Sequence, residues 1–305
     1  MLAAPHFRKV AFLGIGLIGS SLARVIREKG LADEIVAYSR SDGTRERAVE
    51  LGVVDSCEAD PGDAVAGADL VVFAVHLGGY EPVAKAIAGR LEPGAIVTDV
   101  GSAKAAAAEV LKAHLPDTVH LVPGHPVAGT EFSGPESGFA ELFDGRFCIL
   151  TPDAGADAEA VGKIRGLWRA AGMQVETMDA HHHDIVLALT SHLPHVIAYT
   201  IVGTATELEE DLKSEVIKFS AGGFRDFTRI AASDPEFWRD VLLTNREAVL
   251  EMLTRFTEDL TGMRKALRRN DGQALLDWFT RTREVRRGII DARQHEWEDS
   301  KKLDG

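Results

Sequence analysis

The sequence predicts an α/β protein, with a mostly parallel sheet in its first half and helices alone in its second half. Short apolar runs alternate with helix-like patterns as far as Met178, and no strand-like run follows Asp179. This alternation is typical of βαβ units, in which helices cover both faces of a parallel sheet. We therefore predict two domains in this chain of 305 residues, at 1–178 and 179–305.

The predicted strands are short apolar runs that end in glycine or polar residues. In chain order they are Val10–Leu13, Glu34–Tyr38, Leu70–Val75, Ile96–Val100, His120–Val122, Phe147–Leu150 and Gln174–Met178. Helices are predicted between them at 20–29, 45–51 and 158–171, from apolar residues with a helical period.

Two long amphipathic helices are predicted in the second half. Ser233 and Glu236 have the spacing of a capping box at the start of the first. One apolar stripe then follows at Trp238, Leu242, Val249, Met252, Phe256, Leu260, Met263 and Leu267. Residues 270–272 should end this helix, and a second should run from about Gln273 towards Glu298. The stripes pack either within one chain or against another subunit, and the pattern leaves both open.

Composition excludes several classes of protein. A formal net charge of -13 repels phosphate backbones, so we expect no nucleic-acid partner. Cys57 and Cys148 form no CxxC pair, as expected of reduced thiols. The N-terminus has no signal-like apolar core, and we expect no stretch of the ~18 apolar residues that a membrane span needs. A cytoplasmic protein without a membrane partner is the expectation.

A G-x-G-x-x-G turn, Gly14–Gly19, directly follows the first strand and directly precedes a helix. In this context, where a Rossmann domain begins, the glycines allow a tight turn and close approach to a pyrophosphate. The helix N-terminus adds free N–H groups and a positive dipole end. The predicted dinucleotide contacts here are Gly14, Gly16, Leu17, Ile18 and Gly19.

The end of the second strand bears on the choice between NAD and NADP. NAD sites place an acidic residue there, whereas this chain has Ser39 followed by Arg40, with Thr44 nearby. Hydroxyls and a guanidinium suit a 2′-phosphate, which favours NADP. Two alternatives stay open: Asp42 accepts from the ribose of NAD, or Arg40 is solvated or stacks on adenine.

Six segments together resemble the prephenate/arogenate (cyclohexadienyl) dehydrogenase family. They are GIGLIGSSLA, TDVGSAK, GHPVAGTE, LTSHLPH, GGFRDFTRIA and SDPEFWRD, in the family's order. The resemblance implies a Rossmann-like domain followed by a helical dimerisation domain, and a homodimer through the C-terminal helices. It also implies NAD(P)-dependent oxidative decarboxylation of prephenate or arogenate, a step of tyrosine biosynthesis.

Prephenate requires a base for its C4 hydroxyl and partners for two carboxylates. A neutral imidazole can take that proton, and His125 is the candidate, in the role that the resemblance also implies. The alternative is a capping histidine. Ser102 is the candidate that orients His125 or the substrate hydroxyl, and the alternative is a loop cap. Arg229 can grip a carboxylate bidentately, unless it pairs with Asp226 or Glu236.

Further contacts follow from the resemblance alone. It implies that His195 and Gly222 contact the substrate. A separate hypothesis is that Glu131, a further substrate contact, pairs with Arg229 when the site is empty and acts as a gate. His192 is either a packing residue or a support for the site. Trp238 either closes the pocket or is a core residue.

Arg225 is expected to be solvated. The run His181–His183 is not expected to bind a metal, because consecutive histidines on a helix cannot all face one ion.

Two other functions stay in competition at this point. One is a β-hydroxyacid or 6-phosphogluconate-type dehydrogenase, which relies on a catalytic lysine in the helical domain. The other is a non-catalytic NADP-binding sensor. The sequence leaves open the preference for prephenate or arogenate, the preference for NADP or NAD, and tyrosine feedback.

Overall fold

A computed structural model describes residues 5–130, 132–207 and 222–291, the side chains of 289–291 excepted. Within these ranges the sheet has eight strands in the order β3-β2-β1-β4-β5-β6-β7-β8. The strands are β1 Phe7–Leu13, β2 Ala32–Tyr38, β3 Ser56–Glu58, β4 Leu70–Phe73, β5 Ile96–Asp99, β6 His120–Pro126, β7 Phe147–Leu150 and β8 Gln174–Thr177.

Neighbouring strands are parallel except for β6 and β7, which run antiparallel with His125 opposite Ile149. The strand order reverses between β1 and β4, and ligands of open α/β sheets bind at such a switch point. All seven predicted strands are confirmed. The edge strand β3 was missed because its three residues are too few to show a period.

Helices cover the sheet and form the whole described second half. They are α1 Leu17–Glu28, α2 Asp42–Glu50, α3 Pro61–Val65, α4 Tyr80–Ile87, α5 Ala105–His114, α6 Ala158–Ala170, α7 Ala180–Leu187, α8 Leu193–Thr206, α9 Gly222–Thr228, α10 Pro235–Thr244, α11 Arg246–Arg268 and α12 Gly272–Asp291. A π-helical turn, Ala188–His192, joins α7 to α8 without a break.

The two faces of the sheet carry separate apolar clusters, because successive side chains of a strand point to opposite faces. Val10 and Phe12 belong to one cluster, which contains the fully buried Trp168. Ala11 and Leu13 belong to the other. Trp238 packs in this second cluster and is 8% exposed, so it is a core residue.

The stretch Ala180–Thr206 bears on the expectation of no membrane span. Its 18-residue window has a mean hydropathy of 1.6, so by length and composition alone this helix could cross a membrane, which was not anticipated from the sequence. Histidines and Asp184 interrupt the stretch, so its apolar residues are not consecutive. Asp184 is buried and accepts the backbone N–H of Lys104, so polar contacts tie this helix to the sheet domain.

The start of α10 differs from the predicted capping box. Asp234, and not Ser233, caps the helix by accepting the N–H groups of Glu236 and Phe237. An aspartate carboxylate accepts both N–H groups at once and is also favoured by the helix dipole. The predicted long helix is interrupted at Asn245, which separates α10 from α11.

The chain divides into two compact units, Met1–Val249 and Leu250–Gly305. The predicted domain boundary at 178/179, where the sheet ends, stays a prediction. In the second unit the predicted stop at 270–272 is confirmed, with Asn270 at a φ of 53° and Asp271 accepting the N–H of Ala274. The end predicted for the last helix, near Glu298, lies outside the described residues.

Gly14→Ala should destabilise the protein. A Cβ at this position would lie 2.6 Å from the carbonyl oxygen of Ala74, at a φ of +101° that side chains rarely adopt. Strain of this kind costs about 1–3 kcal/mol, measurable as a lower midpoint of urea unfolding. Gly43→Ala is the control, because a Cβ there meets nothing within 4 Å. Equal midpoints for the two variants would contradict the close packing at Gly14.

Candidate active site

The glycine turn lies between β1 and α1, beside the point where the strand order reverses. Gly14 packs against the backbone of Ala74, and Gly19 packs against the carbonyl of Gly14. A Cβ built on Gly16 meets nothing within 4 Å, so the space in front of the helix is open. The N–H groups of residues 17–19 form the first turn of α1, where a phosphate is stabilised.

The segment after β2 lies where an adenine ribose is expected. Ser39 is half-buried and Arg40 is exposed. Thr44 donates its backbone N–H to the hydroxyl of Ser41, the residue that caps α2. Ser39, Arg40 and Thr44 therefore lie together at the start of this helix.

Arg45 is a residue that sequence reasoning missed. It donates Nη1 to the carbonyl of Ser39 at 2.8 Å and forms an ion pair with Asp42. The Asp42 carboxylate is therefore engaged, and turning it towards a ribose would require breaking this pair. The position of Arg45 in the first turn of α2, close in sequence to Ser39 and Asp42, could have indicated these contacts.

His125 lies in β6 and is 7% exposed. Its Nδ1 is 2.9 Å from Nε2 of His183, and Nδ1 of His183 is 2.8 Å from Oδ1 of Asp184. Both partners are buried in α7. The three side chains thus form a row that joins the sheet to the first helix of the second half.

The row has a direction, which follows from what each atom can donate or accept. The carboxylate of Asp184 accepts, so Nδ1 of His183 carries a proton and Nε2 of a neutral His183 is an acceptor. Nδ1 of His125 must then donate to it, which leaves Nε2 of His125 with the lone pair. No described residue hydrogen-bonds this nitrogen, so it is available to accept a proton.

Burial and neighbouring charges keep the two imidazoles neutral. Burial, followed by His183 and the Lys104 cation, holds the pKa of His125 well below its usual range. Burial also lowers the pKa of His183, although the hydrogen bond with Asp184 opposes it. Burial alone would raise the pKa of Asp184, but hydrogen bonds from His183, Lys104 and Ala105 lower it, so the carboxylate stays ionised.

Asp99, at the end of β5, is the centre of a second buried polar group. Its carboxylate accepts from the Tyr80 hydroxyl at 2.9 Å and from the N–H groups of Gly101 and Gly124 at 3.0 and 3.2 Å. The ammonium of Lys104 forms an ion pair with it, and both side chains are buried. The group ends beside the backbone of His125.

Ser102 lies in the loop after β5, and its hydroxyl oxygen is buried without a hydrogen-bond partner among the described residues. In this structure the hydroxyl makes no hydrogen bond to His125, whose Nδ1 contacts His183, so the predicted orienting role stays a prediction. The other predicted role, a contact with the substrate hydroxyl, stays a prediction.

His195, Trp238 and Arg229 form a second group of predicted residues. The His195 ring stacks on Trp238 with ring centroids 3.5 Å apart, and its Nδ1 donates to the carbonyl of Ser191. Burial lowers the pKa of His195, and the nearby charge of Arg229 lowers it further. Nε2 of His195 is consequently an acceptor beside a guanidinium.

His192 connects the two groups. It is buried in the π-helical turn, and its ring meets Trp238 edge-on at 6.0 Å. Asn245 donates to Nδ1 of His192 and to the carbonyl of Asp184. Burial lowers the pKa of His192 to about 4. The residue supports the site through Asn245.

The remaining predictions concern Gly222, Glu131 and the histidine run. Gly222 begins α9, a helix that contacts α8. Glu131 lies outside the described residues, so its pairing with Arg229 stays a prediction. In the histidine run, His181 and His182 are exposed while His183 is buried. The described residues contain no group of three or more side chains that could hold a metal ion.

Comparison with known families gives two matches that together span most of the chain. Residues 22–177 match the family described as "Prephenate dehydrogenase, nucleotide-binding domain". Residues 179–281 match "Prephenate dehydrogenase, dimerization domain".

Individual relatives agree. The chain is 42% identical to a cyclohexadienyl dehydrogenase from Zymomonas mobilis, over 92% of this chain and 95% of the relative. It is 32% identical to a prephenate dehydrogenase from Bacillus subtilis, over 92% of this chain and 76% of that one.

A solved prephenate dehydrogenase from A. aeolicus, in complex with hydroxyphenyl propionate and NAD+, is similar in structure. It has a TM-score of 0.85 and 31% identity over 92% of this chain and 98% of that chain. A Synechocystis arogenate dehydrogenase has a TM-score of 0.76 and 26% identity over 92% and 99%. The chain is an enzyme of the prephenate dehydrogenase family.

Proposed function

We propose that this enzyme oxidises and decarboxylates prephenate, arogenate or both with NAD(P), on the route to tyrosine. The observation that carries the proposal is the directed row Asp184–His183–His125, which leaves one imidazole nitrogen as a base at the carboxyl edge of the sheet. The proposal takes this reaction from the relatives, whose names give prephenate, arogenate or cyclohexadienyl dehydrogenases.

In the proposed reaction, Nε2 of His125 accepts the proton of the C4 hydroxyl. A bound nicotinamide would take the hydride from C4, and loss of the ring carboxylate as carbon dioxide then restores aromaticity. The imidazolium that forms on His125 keeps its Nδ1–H bond to His183, and the charge of Asp184 stabilises the pair. Ser102 is proposed to contact the same substrate hydroxyl.

Arg229 and His195 are proposed to bind the far side of the substrate. A guanidinium binds a carboxylate through two parallel hydrogen bonds, which suits one of the two carboxylates. His195 lies within the electrostatic reach of Arg229 and is fixed by Trp238 and Ser191. Gly222 and Glu131 complete the proposed substrate contacts.

We also propose a cytoplasmic homodimer, formed through helices of the second half. The matched dimerization domain supports it. Apolar side chains that one chain leaves exposed also support it: Ile185, Leu189 and Ile201 in the first unit, and Leu250, Leu260, Leu267, Leu276, Phe279 and Val285 in the second. Exposed apolar surface of this kind is typical of a subunit interface.

NADP is the proposed cofactor. Ser39 stands where NAD sites have a carboxylate, Arg40 is exposed beside it, and Asp42 is held by Arg45. A 2′-phosphate would therefore meet hydroxyls and guanidinium groups and no free carboxylate.

His125→Asn should lower kcat by the ~10²–10⁴-fold typical of a lost general base, with KM largely kept. The measurement is the initial rate of nicotinamide reduction with prephenate and with arogenate, each with NADP and NAD. The wild type should turn over at least one combination.

His182→Asn is the control, because His182 is exposed on the same helix as His183. It should retain full activity. A wild type inactive with both substrates would defeat the proposed function, and an active His125→Asn variant would defeat the proposed base.

Arg229→Ala should mainly raise KM for the substrate. Loss of a charge-assisted pair costs about 1.5–3 kcal/mol, which corresponds to roughly 10- to 100-fold. Arg225→Ala is the matched control, since Arg225 is exposed in the preceding helix. If the two variants had the same KM as wild type, Arg229 would not be a substrate contact.

Ser39→Asp should convert the preference from NADP to NAD. The new carboxylate would repel a 2′-phosphate and accept from a ribose hydroxyl, so KM for NADP should rise by roughly 10- to 100-fold. Arg47→Ala, an exposed change in the same helix, should alter neither KM. A wild type that already prefers NAD would contradict the proposed cofactor.

A further inference from the structure

We infer that Lys104 is a positioning residue: its side chain and its backbone N–H hold His125 and His183 in the relative orientation that the base requires. The inference rests on the proposed function only for its kinetic readout. Nothing in the chemistry of the reaction requires a lysine at this position, so the role follows from contacts alone.

The side chain of Lys104 fixes the strand that carries the base. Its Nζ donates to the carbonyl of Gly124, the residue before His125, at 2.7 Å. The same ammonium pairs with Asp99, whose carboxylate accepts the N–H of Gly124. Both polar groups of the Gly124 backbone are therefore held by one buried ion pair.

The backbone of Lys104 fixes the other end of the row. Its N–H donates to Oδ1 of Asp184 at 2.7 Å, and the N–H of Ala105 donates to Oδ2 at 2.9 Å. These are N–H groups at the start of α5, which have no partner inside the helix. Asp184 is thereby oriented so that Oδ1 also meets Nδ1 of His183.

Lys104 is fully buried, so its charge is not screened by solvent. Burial lowers the pKa of Lys104, and the Asp99 carboxylate opposes that effect. A buried carboxylate left without its partner is strongly destabilising, so a single substitution would test folding and not positioning. Removing both charges together avoids this.

The groups that face His125 come from four described segments. His183 lies in α7, His192 in the π-helical turn, Lys104 before α5 and Cys148 in β7. Burial raises the pKa of the Cys148 thiol, so it is uncharged. Asp99, the partner of Lys104, also lies close by, against the N–H of Gly124. Of these two charges only the Lys104 cation shifts the pKa of His125, which it lowers, so removing the pair should raise that pKa.

The test is the double variant Lys104→Met/Asp99→Asn, compared with wild type. Asparagine keeps an acceptor for the N–H groups of Gly101 and Gly124. The matched control is Lys112→Met/Asp153→Asn, which removes an exposed ion pair between Lys112 in α5 and Asp153. Thermal unfolding by circular dichroism establishes that each variant is folded.

Three readouts separate positioning from mere stability: the kinetic constants, the pH profile of kcat/KM and the titration of His125. We expect kcat to fall by roughly 10²-fold, as for a misplaced catalytic group, with KM for the substrate little changed. The acid limb of the kcat/KM profile should move to higher pH. Imidazole titration by NMR, with His125 assigned through His125→Asn, should show a raised pKa in the double variant. The control should match wild type in all three.

A second variant covers the case of poor folding. Lys104→Gln/Asp99→Asn keeps a hydrogen-bond donor near Gly124 and should recover part of kcat while leaving the His125 pKa raised. Wild-type kcat and an unmoved His125 titration in a folded double variant would overturn the inference. Unfolding of both variants would overturn it as well, by assigning the pair to folding. A wild type that turns over neither substrate would instead defeat the proposed function, with the NMR titration still readable.

Discussion

The hydrogen bond between the imidazoles of His125 and His183 is the contact on which the rest of the site depends. Taken alone, two neutral imidazoles can share a proton in either direction, and the base would be undefined. The carboxylate of Asp184 removes this ambiguity because it can only accept. One carboxylate therefore sets the protonation of a nitrogen two side chains away.

The fold supplies the components of this row from distant parts of the chain. β5 and β6 end at the same edge of a parallel sheet, which places Asp99 and His125 near each other. The antiparallel strand β7 pairs with the end of β6, with Ile149 opposite His125. α7 then returns over the start of α5, so that helix-end N–H groups meet Asp184.

Much of this was predictable from sequence. Alternating patterns identified the strands, and the glycine turn identified the site beside β1, because both depend on local chemistry. The row itself was not predictable. The sequence places His183 in one run with His181 and His182, which is not expected to bind a metal, and only tertiary packing distinguishes the buried member from its exposed neighbours. Within the TDVGSAK segment Asp99 pairs with the nearby Lys104, but their other partners, Tyr80, Gly124 and Asp184, lie 19 to 80 positions away and cannot be identified from local sequence.

The π-helical turn at Ala188–His192 changes the directions in which the histidines of α7 and α8 point. Each residue of an α-helix turns the chain by about 100°, so an uninterrupted helix would place His195 about 120° around the axis from His183. One extra residue in the turn reduces that angle to about 20°. The continuous helix can then carry His183 and, further along, His195 on the same side of its axis.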